Sequence, residues 1–467
     1  MDQRETPLAD AAAAFLAAGV MPFTTPGHKR RPELADELLL LDLPLSGGAD
    51  DLHMRSDVLG RAERLAADLW GADLCRFCGN GSTEGNEALA LALGRPGDRA
   101  VISRSMHKSV LAGLVLSGLE PVWVRPDVDP ATGLPLPLPA ERVEAALRQS
   151  PGACGVFLVE PSFVGVLSDV PAIAGAAHAA GVPLVVDQAW GAHFGFHPAV
   201  PPHALAAGAD AFVASSHKTL AAFTQSAFLV ARGGFLDLER LEEAFELLHT
   251  TSVSAALLAS IDRARMIMAT RGEELLGDTV RLAAYARERL TEVEGLVLVA
   301  SDDPTKLALA LPGTGGDGLE VEADLFAQGI RFELANRDLL VPLLTIADTE
   351  EGVERLCDAL VESFARRRGE PRPPGGASAV WDVTPEPALT PREAFFSARE
   401  TVRTEDAPGR VAAEMVCPYP PGIPAIAPGE VVSRELVEAL REAAAAGTRL
   451  AYCADPALAT LQVVARS

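Results

Sequence analysis

Two short apolar runs in this chain each stop at a residue able to do chemistry. Val182-Pro183-Leu184-Val185-Val186 ends at Asp187, and Ala211-Phe212-Val213-Ala214 ends at Ser215-Ser216-His217-Lys218-Thr219. Unbroken apolar runs of this length predict strands of a parallel sheet buried on both faces. In open α/β sheets, ligands bind just beyond the carboxyl ends of the strands. Asp187 and Lys218 are therefore expected to reach one crevice from separate strands. An amine that can form a Schiff base, with a carboxylate that keeps a pyridinium nitrogen protonated, is the pair that pyridoxal phosphate chemistry requires. A turn-forming Asp and a solvated Lys are the everyday alternatives, so the pair needs support from the rest of the chain.

The surrounding pattern supplies it. Cys75–Asn86 passes from a short strand through a Gly-rich turn into a helix whose first turn carries Ser82 and Thr83, followed by the helical Glu87–Leu93. Free N–H groups and the dipole at such a helix start favour an anion, and the hydroxyls add donors. The alternative is a simple cap, with Ser82 or Thr83 capping and Glu84 reaching back. The turn lacks both the P-loop and the GxGxxG spacing, so neither a nucleoside triphosphatase nor a dinucleotide-binding fold is indicated. Strands follow at Arg99–Ser103, Val122–Arg125 and Gly155–Glu160, alternating with helices at Ser109–Leu116, Pro139–Gln149 and Val170–Ala180. This alternation predicts an α/β fold with a mainly parallel sheet covered by helices.

Before that region, the sequence predicts a helix over Pro7–Gly19, an irregular arm over Met21–Arg31 holding His28 and Lys29, a short helix over Glu33–Leu43, and an amphipathic helix over Val58–Trp70. After Lys218 come a strand at Ala227–Ala231 and helices at Phe235–His249 and Ala255–Arg289. Strands at Thr305–Leu311, Ile330–Glu333 and Leu339–Leu344, with a helix at Leu319–Gln328, suggest a smaller C-terminal α/β domain. Gly369–Pro387 reads as an exposed Pro/Gly-rich connector. The expected division is an N-terminal helix and arm (1–31), a large cofactor-binding domain (32–290) and a C-terminal part (291–467).

The chain has 467 residues, 48% of them apolar and 22% charged, which suits a soluble globular protein. A formal net charge of −24 argues against nucleic acid as a partner. Cys75 and Cys78 form a CxxC with no second pair or His cluster, so two packed thiols are expected and no metal. His193 and His197 lie four apart, but in a Gly/Phe-rich loop without a third ligand, and are read as packing or substrate-lobe residues. The segment Ala9–Val20 is too short to cross a bilayer and too poor in strong hydrophobes for a signal sequence, so no membrane and a cytoplasmic location are expected.

With these pieces in order, the chain resembles the Orn/Lys/Arg decarboxylase family of pyridoxal-phosphate enzymes, in the aspartate aminotransferase fold group. The resemblance rests on TPGHK at 25–29, NGST at 80–83, HKS at 107–109, the block at 187–197 (DQAWGAHFGFH), SSHKTL at 215–220, PYPPGIP at 418–424 and PGE at 428–430. It implies that Lys218 carries pyridoxal 5'-phosphate, that Asp187 pairs with the ring nitrogen, and that His107 stacks on the ring. Ser82, Thr83, Ser215 and His217 would grip the phosphate, and Ala189 and Trp190 would line the ring and the entry. The implied reaction is decarboxylation of arginine, lysine or ornithine, with Lys218 or His217 as the acid that protonates Cα. It also implies a homodimer or larger assembly with shared active sites.

The chain departs from the family pattern at Gln188, Trp190 and Glu84, and in Thr250-Thr251-Ser252-Val253-Ser254-Ala255, where a Pro and a Tyr are missing. In relatives that loop reaches the neighbouring subunit's phosphate, a role open to Thr251 or Ser252. Two other readings compete. One is a fold-mate with different chemistry, an aminotransferase or carbon–sulfur lyase, for which Arg331 or Arg337 would anchor a substrate carboxylate. The other is a non-catalytic regulator, which would have no need of Lys218, Asp187 and His107 together.

Overall fold

The structure is a computed structural model that describes residues 1–17, 58–374, 378–419 and 422–466. The arm with His28 and Lys29, the TPGHK motif, the helix expected over 33–43, and Pro420 and Pro421 lie outside the described residues. The first part of the chain forms α1 (Pro7–Ala17), α2 (Val58–Leu69), β1 (Leu74–Cys78), α3 (Gly81–Leu93), β2 (Arg99–Ser103), α4 (Lys108–Ser117), β3 (Glu120–Val124) and α5 (Ala140–Gln149). It continues with β4 (Val156–Val159), α6 (Val170–Ala179), β5 (Leu184–Asp187), β6 (Ala211–Ala214), the single turn α7 (Ser216–Thr219), β7 (Ala227–Ala231), α8 (Leu238–Leu248) and α9 (Ala255–Leu290).

The seven strands form one sheet in the order β1-β7-β6-β5-β4-β2-β3. Its run from β3 to β6 is parallel, and β7 is antiparallel to both of its neighbours. The fold is the expected α/β arrangement, with β5 and β6 adjacent and central. Strand side chains alternate between the two faces, and the sheet keeps this parity strictly. Leu184, Val186 and Phe212 enter one core, while Val185, Ala211 and Val213 enter the other with residues of α3 and α4. Asp187 shares the parity of Val185, so its carboxylate points to the face covered by α3 and α4. The same rule sends Cys75 and Cys78 into opposite cores, which accounts for both as packing residues.

A smaller sheet, in the order β10-β11-β9-β8, follows α9. Its elements are β8 (Val297–Leu298), β9 (Leu309–Ala310), α10 (Gly318–Phe326), β10 (Leu334–Ala335), β11 (Leu339–Val341) and α11 (Glu350–Arg367). Two details differ from the sequence reading. The Ile330 N–H bonds back to the Leu325 carbonyl (2.9 Å) and closes α10, so residues 330–333 form a link and the strand starts at Leu334. Helix α11 was not anticipated, although Thr349 caps it, Glu350 and Glu351 open it, and Arg366 and Arg367 close it. The last part of the chain contains α12 (Ser378–Asp382), α13 (Pro391–Phe396), β12 (Arg399–Arg403), β13 (Cys417–Tyr419), α14 (Arg434–Ala445), β14 (Arg449–Ala451) and β15 (Thr460–Val464), around its own core. Helix α12 interrupts the expected connector, and the Gly369 and Arg372 N–H groups pin its start to Thr314 and Pro312. Among the described residues no helix is long and apolar enough to cross a membrane.

Helix α3 begins at Gly81, so that Ser82 and Thr83 occupy its first turn, as the sequence suggests. Gly81 has φ +70°, a conformation that glycine adopts without steric penalty. Gly85 does different work. A Cβ there would lie 2.8 and 2.9 Å from the Val213 methyls, so the missing side chain lets α3 press onto β6. That close approach brings Asn86 within reach of Asp187. Gly85→Ala is expected to lower unfolding stability by roughly 1–3 kcal/mol, the usual cost of overpacking, measured as a fall in the urea midpoint at unchanged slope.

Candidate active site

The carboxyl ends of β2, β4, β5 and β6 and the start of α3 open onto a cavity of about 500 Å³. Ser82, Thr83, His107, Asp187, Ala189, Trp190, Ser215, His217 and Lys218 all line it. The structure therefore brings together every residue singled out from the sequence for cofactor contact. The amine and the acid share one space, as adjacent β5 and β6 require.

Asp187 is almost fully buried. Its Oδ1 accepts the Ala189 N–H at 3.0 Å, and its Oδ2 accepts the Asn86 Nδ2–H at 2.7 Å. Asn86 also donates to Ser109 Oγ (2.9 Å), and Ser109 Oγ lies 2.8 Å from His107 Nδ1. His107 caps α4, and burial, with Lys218 and Lys108 nearby, holds its imidazole below the usual histidine range despite the opposing Asp187. Lys218 Nζ sits 4.0 Å from the centre of the Trp190 ring. Burial lowers its pKa to about 8, with Asp187 and Glu333 opposing the shift and Lys306 adding to it. His217 Nδ1 donates to the Ser226 carbonyl at 2.8 Å, which leaves Nε2 as the ring nitrogen available to a ligand.

Ser82 Oγ and Ser215 Oγ lie 2.5 Å apart, joining the helix start to the end of β6. Together with the N-terminus of the 13-residue helix α3 they offer hydroxyl and amide donors to an anion. Glu84 does not compete for that place. It is buried outside the cavity, accepting the Asn80 N–H (3.0 Å) and pairing with His249 Nδ1 (2.7 Å). Gln188 likewise turns away, bonding the Gly191 carbonyl and the Ala204 N–H to close the following loop. Thr251 and Ser252 are exposed and do not line the cavity of their own chain, while Val253 packs tightly over Gly79.

His193 and His197 diverge, so they form no metal pair. His193 Nε2 meets Asp303 Oδ2 at 2.9 Å in full burial, and His197 Nδ1 accepts the Ala199 N–H. Asp303 also faces Lys306 Nζ at 3.8 Å, and Lys306 donates to the Trp190 carbonyl (3.3 Å) from the cavity wall. Burial lowers the Lys306 pKa, and Asp303 and Glu333 oppose that shift. Lys306, Glu333, Tyr419 and Tyr452 all line the cavity and were missed from the sequence. They come from distant segments with no local signal, apart from Tyr419 inside the Pro-rich motif. The two late arginines stay outside: Arg331 lies over Phe326, and Arg337 pairs with Asp338. Among the described residues no arginine lines the cavity.

The C-terminal part reaches the site through one ion pair. Arg104, just past β2, forms two bonds to Glu430 (2.6 and 2.8 Å) and donates to the Pro424 carbonyl (2.9 Å), with both side chains about 2–3% exposed. This pins the Pro-rich loop, so that Tyr419, Gly422 and Ile423 wall the cavity. Arg104→Met would leave Glu430 buried without a countercharge, at a cost on the order of 3–5 kcal/mol. Urea unfolding should show that loss, and Arg104→Met/Glu430→Leu should recover much of it. A second expectation concerns Lys218. In cofactor-free protein, its modification by a small aldehyde and cyanoborohydride, followed by mass spectrometry, should rise with pH to a midpoint near 8, because the neutral amine is the reactive form.

A family model described as Orn/Lys/Arg decarboxylase, major domain, matches residues 6–308, and the corresponding C-terminal domain matches 377–450. The arginine decarboxylase of Halalkalibacterium halodurans is 33% identical over 99% of this chain and 98% of its own length, and that of Bacillus subtilis is 32% identical over 99% of each. Among solved structures, the constitutive lysine decarboxylase of Escherichia coli superposes with a TM-score of 0.83 at 21% identity, covering 99% of this chain and 82% of that one. A serine palmitoyltransferase solved with PLP gives a TM-score of 0.54 at 16% identity, over 66% of this chain and 77% of that one.

Proposed function

This chain belongs to the Orn/Lys/Arg decarboxylase family and decarboxylates a basic amino acid; from that premise we propose that its cofactor is pyridoxal 5'-phosphate and its substrate arginine. Relatives named arginine decarboxylase match at 32–33% identity over nearly the whole chain, whereas the lysine decarboxylases match at 22–27%. The observation that carries the reading is the joint opening of Lys218, Asp187 and Glu333 onto one cavity.

The residues present fit the cofactor. Ser82, Thr83, Ser215 and His217, with the start of α3, would hold a phosphate; Asp187 would hold a pyridinium N–H; Lys218 would hold the aldehyde carbon; His107, Ala189 and Trp190 would bound the ring. When bound, the cofactor supplies an electron-withdrawing ring that accepts the electron pair left by the departing carboxylate. Everything else falls to the chain. Burial and two hydrogen bonds keep the Asp187 carboxylate fixed, where its charge would face the ring nitrogen of a bound cofactor. The lowered proton affinity of Lys218 lets the same amine attack when neutral and return a proton when charged. His217 is less suited to that return, since its Nδ1 proton is committed to the Ser226 carbonyl. Leu138, Phe163 and Val166 form an apolar wall that strips water from a carboxylate and favours its loss. Glu333 is the countercharge for a cationic substrate end.

The aminotransferase alternative is disfavoured because no arginine among the described residues enters the cavity to anchor a carboxylate. We also place the protein in a reducing cytoplasm, with which its six free cysteines agree, as a homodimer serving polyamine synthesis.

The test is carbon dioxide release from arginine, lysine and ornithine in separate reactions. Arginine is expected to give the highest kcat/KM, and Lys218→Ala is expected to abolish release and cofactor absorbance. Glu333→Gln should raise KM for the cationic substrate at least tenfold, the order of one lost charge contact. No release from any of the three substrates would overturn the reading.

A further inference from the structure

The hydrogen bonds beneath the cavity form an unbroken run, and its donors and acceptors can be counted in only one way. Asp187 Oδ2 is a carboxylate oxygen, so its partner at 2.7 Å must be a donor. That places the Asn86 amide nitrogen toward Asp187 and leaves Asn86 Oδ1 buried without a partner. The second hydrogen of the same nitrogen goes to Ser109 Oγ at 2.9 Å. With one lone pair engaged there, the Ser109 hydroxyl turns its own hydrogen to His107 Nδ1 at 2.8 Å. The Ser109 backbone N–H points at the same ring nitrogen, at 3.3 Å. Two donors converge on Nδ1, so Nδ1 carries no hydrogen.

We propose that Asn86 and Ser109 are positioning residues that hold the His107 imidazole as its neutral Nε2–H tautomer, so that the ring edge facing the cavity is a hydrogen-bond donor and not a base. Neither residue lines the cavity, and each acts through its neighbour. The run starts on the carboxylate expected to meet the cofactor nitrogen and ends on the ring expected to cover the cofactor. Both contacts are thus set by one chain of bonds on the face of the sheet beneath α3 and α4.

Protonating His107 would break the count. Nδ1–H would then face the Ser109 N–H, and Ser109 Oγ would have to accept from both Asn86 and His107 with no acceptor left for its own hydrogen. The surrounding charges are Asp187 at the end of β5, which favours a charged imidazole, and Lys218 on α7 and Lys108 on α4, which oppose it; burial opposes it more strongly. The bond count and the dominant environment agree.

The inference concerns the cavity assigned above, and its test needs neither cofactor nor turnover, so it can fail while the decarboxylase reading stands. Protein carrying ring-labelled nitrogen-15 histidine, free of cofactor, is followed by NMR from about pH 8 down through the His107 titration, to about two units below the usual histidine midpoint, with the His107 signals assigned by their loss in His107→Gln. The wild type is expected to show a protonated Nε2 and an unprotonated Nδ1 at every pH above that titration. Ser109→Ala should populate both tautomers and move the titration midpoint up by about one pH unit. Ser109→Thr, which keeps the hydroxyl and the N–H, should match the wild type. Asn86→Ala should raise the midpoint in the same direction, because the freed Ser109 oxygen could then accept from a protonated ring. A wild-type His107 carrying its hydrogen on Nδ1, or a Ser109→Ala protein with an unchanged tautomer and midpoint, would overturn the proposal.

Discussion

The structure depends on a carboxylate almost wholly withdrawn from solvent. Asp187 ends a strand whose neighbours on both sides are also strands, and its side chain lies under two helices. A buried charge of this kind persists only when donors replace its lost hydration. The Ala189 N–H and the Asn86 amide do so. Those two donors in turn fix what surrounds them. The Ala189 bond shapes the loop that carries Trp190, and the Asn86 bond requires α3 to lie close enough to the sheet for a short side chain to reach. Gly85 makes that approach possible, and Gly113 does the same between the helices, where a Cβ would come within 2.6 Å of Ala90.

The other end of the cavity is built differently. Its walls come from parts of the chain that have cores of their own, and shared apolar clusters together with a few buried polar contacts connect them to the large domain. The buried Arg104–Glu430 pair is the strongest of these, because its bidentate geometry compensates two desolvated charges at once. Arg125 and Arg392 add bonds to backbone carbonyls across the same boundary. The Asp303 carboxylate plays a matching part for the small sheet, with His193 and Lys306 gathered around it beneath Trp190. One end of the site is therefore held by the regular sheet, and the other by apolar packing and buried polar contacts between units.

This division explains which parts were legible in the amino-acid order. The strands of the large sheet could be read because a strand buried on both faces must be continuously apolar, and because the chemistry sits where each run stops. Residues 187–190 and 215–218 follow that rule, while residues 80–83 were legible from the Gly-rich turn and the hydroxyls at a helix start. The strands Leu334–Ala335 and Leu339–Val341 are too short to carry a pattern, and helix Glu350–Arg367 was passed over despite clear signals at both ends. Lys306 and Glu333 have unremarkable neighbours in the sequence, and only the packing of the small sheet against the large one gives them a common cavity. Gln188 and Glu84 looked like departures that could disturb the site. Both face away from it and serve their own loops.

The sequence by itself determined the α/β alternation, the placing of an amine and an acid at strand ends, and the identity of the residues around the anion-binding turn. These follow from local rules: side-chain parity, helix starts and the length of apolar runs. Only the tertiary structure decided which way each polar side chain turns, what fills the far wall of the cavity, and which ring nitrogen of His107 is free. Those outcomes depend on contacts between separate elements, some of them as far apart in the chain as Arg104 and Glu430, and a donor finds its acceptor only after the elements have closed around it.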